Sequence, residues 1–77
     1  MSVYPNTVLI WIFRGKVETE TVDWFNSSSR MRQITGCTRA NVYRLDFSGE
    51  LCEYFGNYWR TAKNVPEEIK LAAMLLN

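Results

Sequence analysis

The sequence predicts a small α+β domain: a four-stranded, mainly antiparallel sheet with two helices packed mostly on one of its faces. Three observations carry this reading. Thr7 to Phe13 is an unbroken apolar run bounded by Pro5-Asn6 and by Arg14-Gly15-Lys16. Two glycine-bearing dipeptides, Gly15-Lys16 and Ser48-Gly49, separate stretches rich in β-branched and aromatic residues. Two further stretches carry helix start and stop signals. The order is ββαββα, in one domain spanning residues 1–77.

The first strand takes Thr7 to about Arg14. Four residues of its apolar run are β-branched, and the run is too short for a helix, so it reads as a strand with partners on both sides and apolar contacts on both faces. Gly15-Lys16 has the form of a two-residue type II′ turn, and Val17 to about Phe25 continues as a second, alternating strand. That turn sets Phe13 opposite Glu18, Trp11 opposite Glu20 and Leu9 opposite Val22.

A helix follows from the capping residue Asn26 to Gly36, a glycine suited to the position just past a helix end. Its apolar positions are only Met31 and Ile34, so it covers just part of a sheet. Ala40–Phe47 and Glu50–Phe55 then form a second hairpin around Ser48-Gly49, with Arg44 opposite Glu53. Asn57-Tyr58-Trp59 reads equally as strand or loop. Asn64, Pro66, Glu67 and Glu68 open the last helix, whose apolar stripe is Ile69, Ala72, Ala73 and Leu76.

Strand alternation assigns each side chain to a face. The economical assembly buries Val8, Ile10 and Ile12 with Tyr43, Leu45 and Phe47 beneath the helices. It leaves an open face on which Trp11, Phe13, Trp24 and Phe55 alternate with Glu18, Glu20, Asp46 and Glu53, with Arg44 as the one cation. The alternative lays the C-terminal helix across these rings, and a one-residue register slip would mix the two faces.

Composition excludes several functions. The chain has no His, which removes the commonest general base and metal ligand. Cys37 and Cys52 have no Cys-x-x-Cys spacing, so no metal and no cofactor is expected, and two free thiols are expected, with one disulfide as the alternative. The four glycines stand apart as turns or caps, so no phosphate-binding loop is present. Glu18 and Glu20 are two carboxylates on one side of a strand, which is ordinary solvation when no pocket is implied. No catalysis is expected. The net charge of +1 sets up no global attraction to nucleic acid or lipid. No signal peptide is recognised, and the apolar run is far shorter than a membrane span, which leads to the expectation of a cytoplasmic protein.

Binding is the function these residues suggest. An aromatic face ringed by acids suits a protein partner with a basic surface. The expectation is a non-enzymatic binding module, such as a small phage or mobile-element inhibitor that docks on a basic, nucleic-acid-binding host protein. Trp11 and Phe13 would anchor, Glu18 and Glu20 would steer, and Arg44 with Glu53 would brace the face. The runner-up is a single-stranded nucleic-acid binder using Arg30, Arg32, Arg39 and Arg60 on the helical side, and a third reading is a homodimer formed through the same sheet.

Overall fold

The computed structural model describes residues 5–76. It contains β1 (Asn6–Phe13), β2 (Lys16–Asp23), α1 (Ser27–Thr38), β3 (Tyr43–Leu45), β4 (Leu51–Phe55), β5 (Tyr58–Thr61) and α2 (Glu67–Leu76). The five strands form one sheet in the order β2-β1-β3-β4-β5, every neighbouring pair antiparallel. No helix among the described residues is long and apolar enough to cross a membrane.

The α+β class stands, with a fifth strand where four were expected. β5 exists because Gly56, at φ 67, occupies the first central position of a two-residue turn that folds Tyr58 and Trp59 back onto Phe55 and Tyr54. The order is therefore ββαβββα.

β1 lies in the interior of the sheet, between β2 and β3, and is apolar on both faces. Its two faces need two covers, and that corrects the placement of the helices. Leu9 and Trp11 pack with Met31 and Ile34 of α1, whereas Ile10 packs with Ile69 and Ala73 of α2. The helices thus lie on opposite faces and not mostly on one. Leu9, Ile10 and Ile69 are fully buried, each contributing roughly 1.5–3 kcal/mol of transfer free energy.

Both hairpin registers differ from expectation. The first turn is Arg14-Gly15, with φ of 52° and 78°, the type I′ geometry that matches strand twist. It pairs Trp11 with Glu18 and Leu9 with Glu20. This shift of two positions preserves the faces. In the second hairpin the Asp46 amide donates to the Glu50 carbonyl at 2.9 Å, closing a three-residue loop with Gly49 at φ 86. The Asp46 carboxylate accepts from the Ser48 hydroxyl and from the amides of Ser48 and Glu50, which fixes that loop. An odd loop length slips the register by one, so Arg44 faces Cys52 and Tyr43 faces Glu53. Every β4 side chain consequently changes face.

α1 also runs past its expected end at Gly36. Arg39 takes the left-handed position at φ 58, and its amide donates to the Thr35 carbonyl at 2.7 Å. Asn26 does hold the N-cap position, but its side-chain amide turns back to the Asp23 carboxylate at 2.6 Å.

Candidate functional site

The face expected to be open lies under α1. Trp11 is only 9% exposed and belongs to the core with Leu9. Phe13 is half-buried at its rim, with the Arg14 guanidinium 5.0 Å over its ring. Glu18 is exposed on the edge strand β2. Glu20 accepts two hydrogen bonds from Arg30, at 2.5 and 2.8 Å, which lower its pKa and tie α1 to β2. Glu53 sits on the other face, where it accepts from the Lys63 amide and from Arg60; the amide first and then the guanidinium lower its pKa. Trp11, Phe13, Glu18, Glu20, Arg44 and Glu53 therefore form no common surface. The single-residue slip of the second hairpin and the position of α1 are the two causes.

Arg44 is the least ordinary of these residues. It is 7% exposed and lies between two indoles, with its guanidinium carbon 3.8 Å from the Trp24 ring centre and 4.0 Å from that of Trp59. Its Nη1 donates to the Ser27 hydroxyl at 2.6 Å, and that hydroxyl donates to the Trp24 carbonyl at 2.8 Å. Trp59 Nε1 donates to the Ser28 hydroxyl at 2.9 Å. The stack continues outward, with Phe47 4.2 Å from Trp24 on one side and Tyr54 edge-on to Trp59 at 5.3 Å on the other. Burial lowers the Arg44 pKa, and its Nε has no hydrogen-bond partner. The aromatic faces and one hydroxyl take the place of a carboxylate. This arrangement fastens the start of α1 and packs the half-buried Trp59 against the core on that face.

A second arrangement lies just before β3 begins, where β4 continues beyond it. There, Ala40–Val42 parts from Tyr54-Phe55-Gly56, opening a cleft of about 570 Å³. Arg60 lies over the Phe55 ring at 3.6 Å and is held by Glu53 at 3.1 Å. Arg32 donates to the Tyr54 hydroxyl at 2.9 Å, and Lys63 also lines the space. Of the arginines expected to gather on the helical side, Arg60 lines this cleft, Arg32 reaches it only through the Tyr54 hydroxyl, and Arg39 immediately precedes its Ala40 wall. Arg30 is engaged by Glu20.

A third feature is the outer side of α2. Ile69 and Ala73 face the sheet, while Leu71, Met74 and Leu75 are 52%, 70% and 88% exposed. Glu67 and Glu68 precede Leu71 by four and three residues, so one stripe runs from acidic to apolar along the helix. Sequence reasoning followed the inner stripe and passed over this one, although Leu71, Met74 and Leu75 show the same three-and-four spacing.

Cys37 is exposed on α1, and Cys52 is buried with a thiol pKa raised by burial; both are free. Among the described residues no group of three or more His, Cys, Asp or Glu is placed to hold a metal. A scan against protein-family models, a search of curated proteins and a search of solved structures each found no match.

Proposed function

We propose that the protein acts by binding another protein rather than by catalysis, presenting the outer stripe of α2 to an apolar groove with a basic end. The observation that carries this is the exposure of Leu71, Met74 and Leu75 on a helix whose other side is already buried in the core. Large apolar side chains at three-and-four spacing are the anchors by which an amphipathic helix enters a groove. Glu67 and Glu68 are exposed at the start of the same stripe, so the complementary groove carries Lys or Arg at that end.

Size favours a groove over a second copy of the chain. A ten-residue helix is about 15 Å long. Two such helices laid side by side bury less than the ~1,200 Å² at which stable interfaces begin. A groove surrounds the stripe on three sides and recovers more area from the same residues. Occupying the binding surface of a basic, nucleic-acid-binding protein is the inhibitory role such a stripe suits.

The test compares the wild-type domain with the double variant Leu71→Glu, Leu75→Glu in nuclease-treated lysate capture, followed by titration of the purified captured protein. The substituted side chains are exposed, so the variant keeps its circular dichroism and melting temperature. A basic protein held by the wild type and lost by the variant supports the proposal. Equal retention by both, or wild-type self-association in the ultracentrifuge that the variant abolishes, overturns it; the latter gives the homodimer reading instead.

A further inference from the structure

We infer that the cleft between Ala40–Val42 and the Tyr54-Phe55-Gly56 end of β4 binds a nucleoside phosphate, as a free nucleotide or as a unit of single-stranded nucleic acid. The inference shares no residue with the α2 stripe and stands independently of the docking proposal.

The volume of about 570 Å³ lies within the range of small-ligand clefts. Its walls offer flat stacking surfaces. Phe55 is 49% exposed and carries the Arg60 guanidinium 3.6 Å from its ring centre. Tyr54 projects from the opposite face of β4 and lines the other side of the same opening, its ring steadied by Trp59 at its edge and by Arg32 at its hydroxyl. Bases stack on both aromatic rings and guanidinium planes.

Charge in the cleft favours an anion. Among the described residues Glu53 is the only carboxylate lining it, and both of its oxygens are engaged: Oε2 by Arg60 at 3.1 and 3.3 Å, Oε1 by the Lys63 amide at 3.0 Å. Arg60 is held over the Phe55 ring as a result. Lys63 is exposed beside Glu53, whose pKa its charge helps to lower, and neither it nor Arg32 forms a salt bridge among the described residues. Asn41, Asn64 and Thr35 add amide and hydroxyl groups able to meet base edges. An acidic peptide would satisfy the cations but leave the stacking surfaces without a planar partner.

The backbone around the cleft is also unusual. Asn64 and Arg39 are two of the three non-glycine residues with positive φ among the described residues, at 55° and 58°; Asn64 lines the cleft and Arg39 adjoins it. Such conformations cost of order 1–3 kcal/mol each and concentrate at ligand sites. In Arg39 the strain also terminates α1.

The experiment measures fluorescence anisotropy of a labelled oligouridylate of about ten nucleotides at about 50 mM salt, where phosphate contacts are strongest. The variants are Lys63→Glu and Phe55→Ala, with Lys16→Glu as a charge-matched control at the β1–β2 turn. Binding that each cleft variant weakens by about tenfold or more, and that the control leaves unchanged, supports the inference. Competition by uridine or adenosine monophosphate then identifies a free nucleotide, and competition by oligonucleotides alone identifies a strand. Three results overturn it: no binding, equal weakening by control and cleft variants, or a glutamate-rich peptide competing as well as the oligonucleotide.

Discussion

The two faces of the sheet are built on different principles. Beneath α2 the contacts are aliphatic with one phenol ring: Ile10, Leu45, Ile69, Ala73 and Tyr43. Beneath α1, Leu9, Trp11, Met31 and Ile34 share the face with a cation held between two indoles. The difference follows from the helices. α1 offers only Met31 and Ile34 as large apolar anchors, so directional contacts position it: Ser27 to Arg44, Ser28 to Trp59 and Arg30 to Glu20. α2 is rich in apolar residues on both sides, and non-directional packing suffices to seat it, leaving its other side available.

Removing an anchor from the aliphatic face should have the largest effect. Ile69→Ala is expected to cost about 3 kcal/mol, from lost transfer free energy and the cavity left behind. Denaturant unfolding would measure this, and a cost below about 1 kcal/mol would mean that α2 is not seated as described.

Arg44→Met sharpens the contrast from the other side. It removes an expensive buried charge but keeps much of the side-chain volume, so stability should change by no more than about 1 kcal/mol in either direction. The near-ultraviolet dichroism of Trp24 and Trp59 should nevertheless collapse, because the group that spaces the two rings is gone. A loss above about 3 kcal/mol would show that the cation itself holds α1 in place.

Acid should act mainly on the α1 side. Glu20, Asp23 and Asp46 all have lowered pKa values, caused chiefly by hydrogen bonds from Arg30, Asn26 and Ser48 respectively. A carboxyl with a depressed folded pKa contributes stability above its unfolded value, near 4, and loses that contribution as pH falls through the folded value. Glu53, on the α2 side, adds to the same trend. Stability should therefore be flat from neutral pH down to about 5 and decline below about 4. Amide exchange in α1 should accelerate before that in α2, and simultaneous loss of protection would contradict the division of labour between the faces.

The smallest expected change is a gain. Gly36 lies inside α1, and a Cβ added there meets nothing within 4 Å. Gly36→Ala should stabilise by about 0.5–1 kcal/mol through helix propensity and the unfolded state. A neutral or negative result in thermal unfolding would indicate that α1 needs a weak point there.

Local patterns reached most of the elements but not their assembly. Thr7–Phe13 announced an interior strand, and Glu67–Leu76 a helix opened by Pro66, because hydrophobic period and terminal chemistry are local properties. Gly56-Asn57 between Tyr54-Phe55 and Tyr58-Trp59 carried a hairpin signal of the same kind, obscured by the aromatic density around it. The expected binding face failed for a different reason. It depended on which face α1 covers, a long-range contact, and on whether the second hairpin turned through two residues or three, which rests on the Asp46 carboxylate collecting the loop's donors.

By itself the sequence determined the α+β class, the interior strand with two apolar faces, the positions of both helices along the chain and the lack of histidine chemistry. Each of these follows from composition or short-range spacing. The tertiary structure decided that the helices cover opposite faces, that Arg44 lies between Trp24 and Trp59, and that Phe55, Arg60 and Lys63 meet at one cleft. These contacts join residues far apart in the chain, and a one-residue change in a loop is enough to reverse which side of a strand faces them.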